Sequence, residues 1–125
     1  MQYVRLVDLQ GEIFPAGRQS RILVGKGAPL LAEHFVTGHS TIFPGGGIPP
    51  HSHSNEEIYI ILSGKGRMVV GDDVEELEGL TTIYIPPNTQ HSLTNIGDTD
   101  LVIMYVYAPT GVVEHWEQER SGQLK

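Results

Sequence analysis

His51, His53, Glu57 and His91 are the residues whose types and spacing could do chemistry together. Imidazole nitrogens and a carboxylate oxygen are ligands for Fe, Mn, Co, Ni, Cu or Zn, and the set excludes none of these metals. His51 and His53 follow the turn formers Pro44-Gly45-Gly46-Gly47 and are expected at the entry of a strand. Residues two apart in a strand project from one face, so the two imidazoles can aim at one point. Glu57 stands where an apolar strand begins. His91 follows the proline-rich turn Pro86-Pro87-Asn88, again at a strand entry. A single histidine on a strand is usually structural or solvated, and a single glutamate is usually a surface charge. Spacing alone therefore leaves a metal site and four unrelated polar residues both open.

The elements that must position these residues read as short strands. The 15 glycines and 8 prolines punctuate the chain every few residues, as an all-β fold requires. Strands are expected at 21–24, over 30–43 as one long or broken element, and at 58–62, 67–70, 81–85, 93–95 and 101–107. Ser63-Gly64-Lys65-Gly66 would make 67–70 the hairpin partner of 58–62, and Gly97-Asp98 would pair 93–95 with 101–107. Residues 10–20 carry turn formers without periodicity and read as an irregular arm. Residues 112–120 are the one helix candidate, with an extended tail as the alternative. Many short strands at this spacing mean a sandwich or a barrel.

Composition sets the outer limits. A chain of 125 residues fits one domain, 1–125, and can bury about two thirds of its unfolded surface in one core. There is no cysteine, which excludes disulfides and thiolate metal sites. The apolar runs at 58–62 and 101–106 fall far short of the roughly 20 residues that span a bilayer. The first residues, Met1-Gln2-Tyr3-Val4-Arg5, lack the apolar stretch of a signal peptide, so a cytoplasmic protein is expected. Lys and Arg number 8 against 15 Asp and Glu, a net charge of −7. That balance argues against a nucleic-acid surface and for an acidic, solvated one.

Two motifs give the chain a family resemblance. The first runs Gly, five residues, His-x-His, three residues, Glu, six residues, Gly, and is met by Gly45, His51, His53, Glu57 and Gly64. The second runs Gly, five residues, Pro-x-Gly, two residues, His, three residues, Asn. Pro86, His91 and Asn95 fit it, Asn88 replaces the inner glycine, and Gly79 lies one residue too far from Pro86. Asparagine tolerates positive φ, so the turn at Asn88 should survive the replacement. With motifs at 45–64 and 79–95, the chain resembles the small single-domain cupins. The resemblance implies a double-stranded β-helix, or jelly-roll barrel, with an irregular N-terminal arm and a short C-terminal tail. It also implies one divalent transition metal held by His51, His53, Glu57 and His91. Small cupins commonly form homodimers through an N-terminal strand, and residues 1–9 are apolar at alternate positions from Tyr3.

Tyr59 and Ile61 share the parity of Glu57, while Ile58, Ile60 and Leu62 have the opposite one. Tyr59 should then enter the cup beside the metal, either as packing or as a phenol that moves a proton at a substrate. Further cup-facing candidates are Tyr105, Tyr107, Met104, His34, His39 and Arg67, with His115 and Trp116 in the tail. Cupins include dioxygenases, decarboxylases, isomerases, cyclases, lyases and non-catalytic binders, so the family alone does not fix the reaction. The spacing His-x-His-x-x-x-Glu-x-Tyr also resembles that of small cupin lyases acting on dimethylsulfoniopropionate. The expected function is an enzyme whose metal acts as Lewis acid on an oxygen-bearing small molecule, as isomerase, cyclase or lyase. The alternatives are an Fe(II) dioxygenase and a small-molecule-binding cupin without turnover.

Overall fold

The computed structural model describes residues 1–110 and 115–123. Ten strands run in chain order as β1 (Glu12–Phe14), β2 (Arg18–Val24), β3 (Val36–Ile42), β4 (Gly47–His51), β5 (Glu56–Ser63), β6 (Lys65–Val70), β7 (Asp73–Glu78), β8 (Thr81–Ile85), β9 (His91–Asn95) and β10 (Leu101–Ala108), followed by a short helix α1 (His115–Arg120). They form two antiparallel sheets, one of order β1-β2-β3-β10-β5-β8 and one of order β4-β9-β6-β7. This is the jelly-roll barrel the resemblance implies. No described helix is long and apolar enough to cross a membrane.

Alternation builds the core. On β5, Glu57, Tyr59 and Ile61 are buried and their neighbours are not, and β10 buries Leu101, Ile103, Tyr105 and Tyr107 in the same rhythm. Ile42, Ile61, Ile85, Leu93, Leu101 and Ile103 have no exposed surface and fill the space between the sheets. Each such side chain contributes about 1.5–3 kcal/mol of burial, so the sandwich does not depend on its polar end.

The strand pairing differs from a simple reading of hairpins. β5 pairs with β8 and β10, while β6 pairs with β7 and β9, so β5 and β6 lie in different sheets. The chain changes sheet at Gly64, whose φ is +96° and where a Cβ would meet the Asp100 carbonyl oxygen at 2.6 Å. In the same way β9 and β10 are not partners; β10 lies between β3 and β5. A short glycine-containing connection looks the same in sequence whether the chain turns back or crosses over.

The irregular arm expected over 10–20 is instead a strand pair. Gly17, at φ +96°, donates to the Phe14 carbonyl and closes a turn that sets Phe14 opposite Arg18. The strand expected over 30–43 is confined to β3, because Leu31, Glu33, His34 and Phe35 are all exposed and bury no face. β7 was not expected; its acidic run is almost wholly exposed and shows no alternation. It forms the edge of its sheet, where charge discourages pairing with another chain. The expected helix is present over His115–Arg120, while 112–114 and the His115 side chain lie outside the described residues. Residues 1–9 hold a 3-10 turn at Leu6–Asp8 rather than a strand, with Met1, Tyr3 and Val7 exposed.

Asn88 takes φ +57°, as its place in the second motif requires, and its N–H donates to the His53 carbonyl at 2.7 Å. Asn88→Gly is expected to leave stability nearly unchanged. Asn88→Val should lose about 1–2 kcal/mol, since a β-branched residue is strained in that region. Equal denaturant midpoints for the two variants would contradict this account of the turn.

Candidate metal centre

Three strands and one loop bring the predicted residues together at one end of the barrel. His51 ends β4 and His91 opens β9, and the two are direct cross-strand partners in the smaller sheet. Glu57 faces them from β5 in the larger sheet, and His53 lies in the loop that carries the chain from one sheet to the other. The convergence of His51 and His53 is therefore not that of i and i+2 on one strand. β4 precedes His51 instead of starting there, and Pro49 and Pro50 interrupt its register against β9. The His53 loop is held from two sides: Asn88 N–H reaches its carbonyl, and Asn55 Nδ2 donates to the Pro109 carbonyl at 2.5 Å. One potential ligand atom from each of His51, His53, Glu57 and His91 lies within 4.8 Å of the others.

Each histidine is oriented by a backbone carbonyl. Nδ1 of His51 donates to Pro49 at 2.7 Å, Nδ1 of His53 to Asn55 at 3.0 Å, and Nδ1 of His91 to Thr89 at 2.8 Å. A carbonyl only accepts, so Nδ1 carries the proton in all three and Nε2 is the atom left for a metal. His53 Nε2 lies 3.0 Å from Glu57 Oε1, and with both ring nitrogens against acceptors the protonated form of this imidazole is favoured. Burial works against that charge, but the hydrogen bond to Glu57 and the carboxylate's charge outweigh it and raise the His53 pKa. Burial likewise disfavours the Glu57 anion, yet His53 and His91 hold its pKa below the usual value. His51 is pushed down to about 3 by burial and by His91 beside it, so it is neutral at any ordinary pH. Nε2 of His91 is buried without a hydrogen-bond partner and lies 3.3 Å from Glu57 Oε1. A buried polar atom without a partner is costly unless something binds it, and this one lies within 4.8 Å of the potential ligand atoms of the other three residues. The donor set fits a divalent transition metal.

Residues 38–107 match the family model of the cupin domain, which covers both motifs and all four of these residues. The chain belongs to the cupin family. An uncharacterized protein of Methanocaldococcus jannaschii is 46% identical over 76 residues, covering 59% of this cupin and 55% of the relative. The match thus spans about half the length of that curated relative. Among solved structures, a predicted oxalate decarboxylase of Thermotoga maritima superposes with TM-score 0.78 at 21% identity, over 87% of this cupin and all of that chain (100%). The polyketide cyclase RemF of Streptomyces resistomycificus gives 0.74 at 22% identity, over 94% and 91%. At such identities the likeness speaks for the fold alone.

A cavity of about 30 Å³ adjoins this group and is lined by His51, Glu57, Tyr59, Tyr105, Arg18 and Trp116, among others. Tyr59 enters it as expected from parity, its ring 5.9 Å from that of His91 and edge-on to it. Burial, then the Glu57 charge, raise the Tyr59 pKa well above 10, so the phenol keeps its proton at neutral pH. Tyr105 and Tyr107 also face inward, stacked on each other, and Trp116 meets both rings edge-on. Burial pushes the Tyr105 hydroxyl up to about 12; it lies near Ser20 but in no hydrogen bond of good geometry.

The other cup-facing candidates are elsewhere. Met104 and His39 lie on the opposite face of β10 and β3, where they are cross-strand partners. His34 is exposed, and Arg67 pairs with Glu76 on the surface. Two residues that sequence reasoning missed stand in the cup instead. Arg18 and Glu119 are buried there as an ion pair. The signal for Arg18 was its parity with Ser20 and Ile22, but it fell in a stretch read as irregular; nothing in the sequence marked Glu119.

Proposed function

We propose that this cupin is a metal-dependent enzyme in which His51, His53, Glu57 and His91 hold one divalent transition ion. The observation that carries the proposal is the set of three Nδ1–carbonyl bonds that orient the imidazoles of a group whose ligand atoms lie within 4.8 Å of one another. When bound, the metal supplies a Lewis acid that polarises an oxygen-bearing small molecule. The chain supplies the rest. The buried phenol rings of Tyr59, Tyr105 and Tyr107 exclude water, which strengthens every charge interaction inside the cup. Tyr59, protonated at neutral pH, donates from its hydroxyl to an oxygen or carbanion that gains charge in the reaction. Isomerisation, cyclisation or elimination needs that proton movement and no external oxidant.

The test is elemental analysis of anaerobically purified protein, then a panel of hydroxy and keto compounds with the native metal restored under nitrogen. Turnover without oxygen is the expected result. Turnover only with oxygen and iron would replace the proposal by a cupin dioxygenase, and tight binding without turnover by a binding module. A homodimer through residues 1–9 and a cytoplasmic location belong to the same proposal. The exposed Met1, Tyr3 and Val7 support the first, and a monomer by light scattering at micromolar concentration would refute it. Cell fractionation tests the second, and recovery with the membranes would refute it.

A further inference from the structure

Arg18 is the one arginine among the described residues that is buried, and it lines the same cavity as His51, Glu57 and Tyr59. Its Nη1 and Nη2 both donate to the carboxylate of Glu119, the second at 2.7 Å, so the guanidinium fork is engaged by two parallel bonds. Phe14 covers one face of the guanidinium at 4.2 Å and fixes its plane. Burial lowers the Arg18 pKa to about 10, which still leaves it charged through the neutral range. Glu119 comes from α1 and has no exposed surface. A tail could be anchored more simply. A buried ion pair contributes little net stability compared with apolar residues of the same volume, and Trp116 already packs α1 against the core. The second ion pair of α1, Arg120 with Glu12, is exposed and adds little. What the buried pair does provide is a fixed carboxylate-binding fork beside the metal ligands, filled by a carboxylate of the chain itself.

We infer that Arg18 is the group that recognises a carboxylate of the ligand, and that Glu119 occupies its place until the ligand arrives. The ligand class is then a small organic acid, with its carboxylate on Arg18 and its reacting oxygens toward His51, His53, Glu57 and His91. The second half of that statement rests on the function proposed above; the first does not. Entry displaces Glu119, so α1 must lift, and it carries Trp116, the sole tryptophan of the chain. The tail is thus an internal competitor whose high local concentration keeps unsuitable anions out.

The experiment uses the full chain, both as purified and after chelation, with isobutyrate as probe and isobutyramide as its uncharged isostere. Trp116 emission is followed during titration. Isobutyrate should shift the emission to the red and isobutyramide should not. Glu119→Gln should reach half-saturation at least tenfold lower, and Arg18→Met combined with Glu119→Gln should not respond. Equal affinity in wild type and folded Glu119→Gln, or a response retained without Arg18, overturns the inference. Should Glu119→Gln fail to fold, wild type is compared with the pair Arg18→Met, Glu119→Met, which removes both buried charges. A response in wild type alone supports Arg18, and the same behaviour in both chains overturns it. A response seen only with metal bound would assign the carboxylate to the metal and overturn the role of Arg18. A chain that binds no metal yet still responds would leave Arg18 standing and overturn the metal site instead.

Discussion

The triple substitution His51→Ala, His53→Ala, His91→Ala is expected to abolish stoichiometric metal binding while leaving the far-ultraviolet β signal intact. The expectation follows from where the four residues sit. They occupy one end of the barrel, and the fully buried Ile61, Leu93, Leu101 and Ile103 that hold the sheets together do not need them. Some loss of stability is expected, because Glu57 would remain buried without the imidazoles that hold its charge. Metal content by elemental analysis, read beside circular dichroism, separates the two effects. Full occupancy in the triple variant would remove the assignment. The wild-type site should also weaken on acidification, since a metal can bind only after displacing the proton that His53 shares with Glu57. His53 holds that proton to a pH above the ordinary value of 6.5 in the metal-free chain, so affinity should start to fall above pH 6.5 and keep falling below it. His51, neutral down to about pH 3, adds nothing to that slope. An affinity constant from pH 5 to 8 would contradict histidine ligation.

How much of this was legible in the sequence depends on whether a residue's neighbours in space are also its neighbours in the chain. β8 was placed to the residue at Thr81–Ile85, because Pro86 ends it and β-branched residues fill it. With Glu57 placed inward by the motif, the inward facing of Tyr59 and Ile61 followed from parity. The positive φ of Asn88 followed from its place in the motif. Sheet membership did not follow, because Gly64 turns the chain into the other sheet with the same residues that would close a hairpin. The approach of His51 to His91 did not follow either, since they meet across β4 and β9, which are not consecutive in the chain. Arg18 and Glu119 are the extreme case. They are a hundred and one positions apart, and each alone reads as a solvated charge. Nothing local distinguishes a charged side chain that will be buried with a partner from one that will stay in water.

Loss of the Tyr59 hydroxyl should spare folding and metal binding and lower turnover about 10²-fold or more. Three features point to that outcome. The side chain follows Glu57 by one period of the strand, so it faces the cavity the ligands open into, and its ring lies 5.9 Å from that of His91. Its pKa stands well above 10, so at neutral pH the group is a proton donor and not a base. Proton donation by a positioned side chain is worth about 10²–10⁴-fold, and phenylalanine keeps the ring and its packing while removing the donor. A hydroxyl with a structural role only would behave otherwise. Its removal would cost about 1 kcal/mol of stability and leave the rate nearly unchanged. The two cases separate when Tyr59→Phe is assayed for melting, metal content and rate on the substrate that the panel identifies. The pH profile adds a second readout, because a donating phenol must lose rate as it ionises, and the alkaline limb of the wild-type profile should vanish in the variant. A variant that melts lower, binds metal and turns over at the wild-type rate would make Tyr59 part of the barrel wall. The proton would then have to come from another group that lines the cup.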